Sequence, residues 1–410
     1  MHPPASIFSW SARLLLPALL AIFAEAQPVR SPDHFGEQVH DLRIELAPEA
    51  VAALKHDPRT YVHARVRSGD KEWPDVAIHL KGATGSFRPL GDKPGLTLDF
   101  DRFGQGQKFL GLTKVHLNNS VEDGSYLCEL IGSELFRAAG IPAPDIGHAV
   151  VRLNGRRLGL YVLKEGFDRS FVEREFPGTA GTVLEAGRGQ DLDGQMLAHG
   201  HRPQAPAATP ADLAAAAREP DLNRRWERLS AQLDLDRFIT FMAVEVMIGH
   251  RDGYALAKNN FRVFQPAGNR RAVFLPQGMD QLFQVAEVPW EPQFAGLIAR
   301  AVMETPQGRQ RYAERFARLR PVLLQPEPLA ARIDTVSARL RAAVTWSEAA
   351  ALRTETAELK ERIRQRAAAL ERQLKRARPE IDGITALPLP ASSASIDRSR
   401  PQTFAQHVIP

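Results

Sequence analysis

The 410-residue chain has a single cysteine, Cys128, so it can form neither an intrachain disulfide nor a multi-cysteine metal site. Its stability must come from a hydrophobic core, and Cys128, in the company of Leu127 and Leu130, reads as a small buried residue and not a nucleophile. Runs of five or six like charges are absent, and the net charge of +5, from 53 Lys+Arg against 48 Asp+Glu, is small for this length. Both features argue against nucleic acid as a partner. No G-x-S-x-G elbow marks a serine hydrolase, and no G-K-[ST] closes a Walker A loop. His199 and His201 lie near Asp191 and Asp193, but no H-x-x-x-H pair falls on a clear helix, so zinc is not indicated.

The apolar run Leu14–Ala24 spans about 11 residues, short of the roughly 20 that cross a bilayer. Arg13 precedes it, and Ala24-Glu25-Ala26 fits an A-x-A cleavage site that makes Gln27 the mature N-terminus. Residues 1–26 are therefore expected to be a signal peptide, with a secreted or periplasmic product and no stable membrane span after cleavage. An uncleaved anchor or a buried helix is the competing reading. Residues 27–300 mix strand and helix signals and predict an α+β domain. Residues 301–378 are helical and charged, with an apolar stripe of Leu319, Val322, Leu323, Leu329, Ile333, Val336 and Leu340. That stripe is expected to pack on the domain, since Pro321, Pro326 and Pro328 interrupt any long heptad run. Residues 379–410 and the stretch Gly200–Pro210 read as a disordered tail and a surface loop.

Within the domain, Asp75–Leu80 alternates as a half-buried strand does, Lys81–Ser86 is a turn-forming loop, and Leu96–Phe100 is a second strand. Ser120 and Asp123 resemble a capping box that opens a helix over Val121–Ala139, stopped by Gly140 and Pro142. Asn154-Gly155 joins two strands as a hairpin. A helix over Asp236–Ile248 delivers His250-Arg251-Asp252 into a loop. Asn259-Asn260 follow, then the hairpin strands Phe261–Phe264 and Ala272–Leu275, then Asp280.

Protein kinases arrange their catalytic parts in this order: an acceptor-facing Asp after a helix, a metal-holding Asn, and a metal-holding Asp beyond a β-hairpin. The transferred phosphate is polyanionic, so hard oxygen ligands for Mg²⁺ or Mn²⁺ are needed beside it. Asp252 is thus the candidate catalytic base, with Asp280, Asn260 and Asn259 as candidate metal ligands. Taken singly, Asp252-Gly253 is also a common turn dipeptide. Upstream, the strand–loop–strand from Val76 to Phe100 carries Gly82 and Ser86 in a loop able to cover nucleotide phosphates, and Lys93 at its second strand is a candidate phosphate contact. Glu129 and Glu134 are alternative partners for that lysine. Lys164-Glu165-Gly166 stands where a kinase contacts adenine.

The blocks LKGATGSF, DKPGLTLDF, FLGLTKVHLNNS, AAGIPAP, LNGRRLGLYVLKEGFD, GHRDGYALAKNNFRVF and FLPQGMDQLF, in this order, resemble those of the spore coat protein H (CotH) kinase family. The resemblance covers residues 75–285. It implies an atypical protein-kinase-like two-lobed fold with a C-terminal helical extension, using ATP and divalent metal to phosphorylate protein substrates. It also implies that Asp252 is the catalytic Asp, Asn260 and Asp280 are metal ligands, and Lys93 is the phosphate-contacting Lys of a K-P-x-x-L block. One departure stands out: where many members read P-W-D-x-D, this chain reads Pro276-Gln277-Gly278-Met279-Asp280. An inactive kinase-like scaffold of the cell envelope, or transfer of AMP, remain alternatives.

Overall fold

The structure is a computed structural model that describes residues 35–83, 85–199, 209–268 and 270–386. The expected signal peptide, residues 200–208 of the expected surface loop, and the tail from 387 lie outside the described residues.

Alternating strands dominate the first part of the chain. β1 (Val39–Glu45), helix α1 (Pro48–His56), β2 (Val62–Ser68), β3 (Lys71–Lys81), β4 (Gly95–Asp99) and β5 (Lys114–Asn118) precede helix α2 (Cys128–Ala138). The strands β6 (Ile146–Leu153) and β7 (Arg156–Glu165) follow and complete a closed barrel ordered β1-β2-β3-β4-β5-β7-β6. Period-2 alternation turns Leu42, Ile44, Val66, Ile78, Leu98, Val115, Val151 and Leu163 into one interior cluster with Trp73, Phe100 and Phe109. Each fully buried aliphatic of this kind contributes about 1.5–3 kcal/mol. The barrel closes through parallel pairing of β1 with β6, which no local pattern announces. Asn154 and Gly155 both have positive φ, as a two-residue hairpin turn requires. The Asn154 amide also bonds both the N–H and the C=O of Leu46, pinning that turn to the end of β1.

Helix α3 (Arg169–Glu175) leads into β8 (Gly181–Ala186) and β9 (Met196–His199), then helices α4 (Pro210–Ala217), α5 (Leu222–Gln232), α6 (Leu235–Met247) and α7 (Tyr254–Ala257). The strands β10 (Phe261–Pro266) and β11 (Val273–Pro276) join β8 and β9 in a second sheet ordered β11-β10-β8-β9. Helices α8 (Leu297–Glu304), α9 (Pro306–Leu323), α10 (Pro326–Ala343) and α11 (Trp346–Ala386) complete the described chain. The architecture is mixed α+β with a helical C-terminal part.

A second core, separate from the barrel interior, unites α2, α6 and the C-terminal helices through Phe136, Phe241, Val302, Phe316, Val336 and Ile363. Leu319, Leu323, Ile333, Val336 and Leu340 are buried in it, whereas Val322 is 46% exposed and does not belong to the stripe. Pro321 lies inside α9 without ending it, while Pro326 stands in the first turn of α10, where its missing N–H is not needed. The α11 helix runs to Ala386, past residue 378, where disorder was expected to begin. Helix α2 starts at Cys128, seven residues after the expected Val121. The Asp123 carboxylate explains the delay: it accepts from Ser125 N and Cys128 N, folding 120–127 into a turn that caps the helix from five residues away.

Candidate active site

The loop after α6 carries Asp252. Buried Glu245 on α6 accepts from Tyr254 N (3.0 Å) and Ala255 N (2.8 Å), placing a carboxylate on the orphan N–H groups that open α7. Gly253 sits so close to this frame that a Cβ would meet Glu245 Oε1 at 2.4 Å and His250 Nδ1 at 2.6 Å. Its φ of −84° suits any residue, so the glycine is required by space and not by its turn conformation. His250 Nε2 donates to the Gly278 carbonyl (3.0 Å), which ties the Asp252 loop to the loop carrying Asp280.

Asp252 Oδ2 accepts from Asn259 Nδ2 (2.9 Å) and Asn260 Nδ2 (2.7 Å). A carboxylate only accepts, so both amide NH₂ groups must face it, which leaves both Asn Oδ1 atoms pointing elsewhere. Asn260 holds φ +48°. Its side chain occupies the space beside Gly278, where a Cβ would meet Asn260 Oδ1 at 2.4 Å. The glycine found where many family members have Asp is therefore sterically complementary to Asn260.

Asp280 faces a separate set of charges. Burial, then the neighbouring carboxylates of Glu129 and Glu122, push its carboxyl up to about 6. Glu129, buried on α2, accepts from Lys164 Nζ at 2.8 Å and from Asn118 Nδ2 at 3.2 Å. Asn118 Oδ1 in turn accepts from Lys81 Nζ. Burial lowers Lys81 to about 8, reinforced by Lys164 and Arg262 and opposed by Glu129 and Asp280. Arg262 is buried beneath, paired with Glu185 at 3.0 Å and bonded to Gln277, with Nη1 lacking a hydrogen-bond partner. His116 is held far below its usual range by burial and by these same cations.

The structure therefore brings Asp252, Asn259 and Asn260 together, and sets Asp280 among Glu129, Lys81 and Lys164. Lys93 lies elsewhere. Its Nζ donates to the Tyr126 hydroxyl (2.7 Å) and sits over the rings of Tyr126 (4.8 Å) and Tyr161 (5.0 Å), with burial lowering it to about 8. The Lys–Glu pairing expected for it is made instead by Lys164 with Glu129, and Glu134 binds Arg332 of α10 (2.6 Å). Glu165 is likewise not free for a ligand. Its carboxylate is fully buried and gripped by both Arg174 guanidinium nitrogens, while burial pushes it up to about 7.

In the glycine loop, Gly82 has φ +115°, and a Cβ there would meet the Phe87 backbone at 2.9 Å. Ser86 Oγ accepts from Ala83 N, closing the loop on itself, and Asn119 Nδ2 clamps the carbonyls of Ser86 and Lys93. Gly85 abuts the Glu122 carboxylate, which also acts on Asp280, so this loop borders the Asp280 site. Neither Lys81 as a site residue nor the pairing of Lys164 with Glu129 is announced by local sequence, because the partners of both lysines lie 35 or more positions away. The local signals were a lysine closing an apolar strand in LKG and another in VLKEG.

The donor set fits a hard cation. Asp280 supplies a carboxylate that a cation would relieve of its crowding, and Asn260 Oδ1, beside Gly278 of the same loop, is a further oxygen donor. Among the described residues, no cluster of three or more His, Cys, Asp or Glu offers a softer or richer site.

Similarity to known proteins assigns the chain to a family. The Invasin CotH3 of Rhizopus delemar (strain RA 99-880) is 26% identical over 188 residues, covering 41% of this chain and 31% of that protein, so the chain spans about a third of the length of that curated relative. A solved complex of the Shewanella oneidensis MR-1 toxin–antitoxin proteins HipA and HipB with operator DNA is 13% identical, with a TM-score of 0.34 over 85% of this chain and 75% of that one. A profile of the family described as CotH kinase protein matches residues 78–370, well over half of the sequence, and the chain belongs to that family.

Proposed function

We propose that the protein is an exported, ATP-dependent protein kinase of the CotH type, in which the barrel and the helical part act as the two lobes of a kinase-like fold. ATP is the phosphate donor, protein hydroxyls are the acceptors, and Mg²⁺ or Mn²⁺ is required. The observation that carries this reading is the juxtaposition of two loops. Asp252, held by two Asn amides, is joined through His250 and Gly278 to the loop of Asp280, which in turn faces the Lys164–Glu129 pair and Lys81.

In this reading Asp252 Oδ accepts the proton of an acceptor hydroxyl as its oxygen forms a bond to the γ-phosphorus, and the bond from that phosphorus to the β-bridging oxygen breaks to release ADP. Asp280 with the Oδ1 atoms of Asn259 and Asn260 would hold the divalent ion, which neutralises phosphate charge. Lys81 and Lys164 are assigned to the phosphates in place of Lys93, because they lie on the Asp280 side, where Glu129 and Asp280 are the carboxylates that act on them. The glycine loop at Gly82–Ser86 borders this side as a cover.

One observation favours a second reading. Gly278 stands where many members carry an Asp, so one carboxylate fewer is available for a cation, as in a nucleotide-binding scaffold or an AMP-transferring relative. Incubation with ATP labelled at either the α or the γ phosphorus, Mg²⁺ or Mn²⁺ and a generic acceptor separates the three. Label from γ alone in protein supports the kinase, label from α indicates AMP transfer, and neither supports a scaffold. Export rests on the Leu14–Ala24 signal, and among the described residues no helix is long and apolar enough to cross a membrane. N-terminal sequencing that finds Met1 on soluble cytosolic protein would overturn it.

A further inference from the structure

An open cavity of about 520 Å³ reaches Lys258, in the segment between Asp252 and Asn259, and has neither Lys81 nor Asp280 in its lining. Lys258, the residue that caps the end of α7, forms part of its wall together with Ala295 and Leu297. Ala295 N donates to Ala255 O at 2.8 Å, fixing that wall to the helix. Three cations line the space, Arg218, Lys258 and Arg300, together with two aspartates, Asp191 and Asp193.

The two signs are not equally available. Asp191 is 7% exposed, and its oxygens are taken by Leu192 N (2.8 Å), the Tyr254 hydroxyl (3.1 Å) and Leu297 N (2.7 Å), so it is a structural brace. Asp193 is paired with Arg218. The side chains of Lys258 and Arg300 have no ion pair or hydrogen bond among the described residues. Lys258 adopts φ +54° at the end of α7, immediately before Asn259, whose amide holds Asp252. Two cations uncommitted among the described residues thus line the cavity, and one of them, Lys258, directly precedes the Asn259 that binds Asp252. Apolar lining is minor, so a purely hydrophobic ligand has little to gain here.

We propose that this cavity docks an acidic segment of the acceptor polypeptide, with a Glu or Asp carboxylate near the reactive hydroxyl reaching Lys258 and Arg300. The proposal rests on the reading of Asp252 as the residue that receives the acceptor proton. An anionic side chain here gains both charges without displacing an existing partner, whereas a basic side chain meets Lys258 and Arg300 directly. The site is then specific for the residues flanking the acceptor hydroxyl and indifferent to the nucleotide.

The test uses the full chain and two fluorescein-labelled peptides, one with a serine flanked by glutamates and one with the same serine flanked by lysines. Binding is read by anisotropy, and phosphate transfer by γ-labelled ATP on dephosphorylated casein against histone. The glutamate peptide should bind the wild-type protein, and the Lys258→Ala/Arg300→Ala double variant should weaken that binding by about tenfold. Nucleotide affinity and Tm should be retained by the variant, showing that it is folded. Equal binding of both peptides, or undiminished binding of the glutamate peptide by the double variant, overturns the docking site. Binding as expected with no labelled phosphate in either protein supports the docking site while removing the kinase reading. Transfer to histone as efficient as to casein leaves the kinase reading standing and removes the docking site.

Discussion

Lys164 Nζ lies 2.8 Å from Glu129 Oε2, with the two side chains only 4% and 2% exposed. The pair joins a barrel strand to α2, and its companions Asn118 and Lys81 extend it toward Asp280. Two charges so thoroughly removed from water are costly to keep, and deleting one partner typically costs about 3–5 kcal/mol by stranding the other. A lysine needed only for packing would be better replaced by an apolar residue. The two lysines share this site with the carboxylates of Glu129 and Asp280, and a divalent ion held by Asp280 would leave lysine charge for a bound phosphate.

The first prediction separates the three lysines. Lys81→Met should weaken Mg-ATP affinity by about tenfold or more, since a lost charge-assisted contact is worth roughly 1.5–3 kcal/mol. Lys164→Met should do the same and also lower Tm, because it strands Glu129. Lys93→Met should act mainly on Tm, through lost contact with Tyr126 and Tyr161. Calorimetric titration with a non-hydrolysable ATP analogue decides the matter. A larger loss of affinity for Lys93→Met than for Lys81→Met would return the phosphate contact to Lys93.

The two aspartates should fail differently. Asp280→Ala removes an ion ligand, so metal-dependent nucleotide binding and turnover should fall together, and excess EDTA should add little further loss. Asp252→Ala should leave nucleotide binding largely intact while turnover falls by about 10²–10⁴-fold, the usual worth of a positioned general base. Affinity and turnover are to be measured at equal folded concentration. If both variants lose activity only in proportion to lost folded protein, neither carboxylate has a chemical role.

Much of this arrangement was legible from local pattern. The helix ending before His250 and the strands on either side of residues 267–272 fall within a residue or two of their observed bounds, and the Asn154-Gly155 turn joins two strands as expected, although β6 begins as early as Ile146. Each is set by periodicity and turn chemistry within a dozen residues. What was not legible depends on distant contacts. Closure of the barrel needs β1 to find β6 more than a hundred residues away, and the choice of Lys164 over Lys93 as partner of Glu129 follows from which strand passes α2. Gly253 was readable as a turn residue, but the structure gives a different reason for it, the crowding of Glu245 and His250. The late start of α2 reflects Asp123 satisfying donors within its own turn, a competition that a capping pattern does not reveal.

Arg366 links the C-terminal helix to the end of α6, just before the Asp252 loop. Fully buried on α11, it donates to Val246 O and Met247 O at the end of α6 and to Ala286 O and Val288 O beyond Asp280. Burial lowers it only to about 10, so it is charged at neutral pH and complements the negative end of α6. Arg366→Met should therefore cost about 3 kcal/mol or more of stability by orphaning those carbonyls. Turnover per folded molecule should fall as well, because α6 delivers Asp252. Arg366→Lys should recover little, as an ammonium cannot span both segments with the guanidinium's geometry. Full activity of folded Arg366→Met protein would show that the Asp252 loop does not depend on α11.

His148 should set part of the acid lability of the fold. It is buried on β6, and Nε2 donates to Tyr126 O at 2.8 Å. Burial is the chief cause that lowers it from 6.5 to about 4, and the charges of Arg339, Arg332 and His40 press the same way. A depressed basic group stabilises the fold fully above its unfolded value and loses that contribution as pH falls through its folded value. His148 therefore contributes up to about 3 kcal/mol at neutral pH, relative to a fold forced to charge it, and this is withdrawn between pH 6.5 and 4. Glu165, raised to about 7, and Asp280, raised to about 6, act oppositely, since their protonation on acidification relieves the fold. His148→Gln keeps a donor for Tyr126 O and removes the titration, while leaving both carboxyls in place. Urea unfolding at several values between pH 7 and pH 4 should thus show the wild type losing stability faster than the variant across that window, with the difference approaching about 3 kcal/mol at the acid end. Parallel curves for the two proteins would mean that His148 titrates normally in the folded state and that its burial does not govern the acid limb.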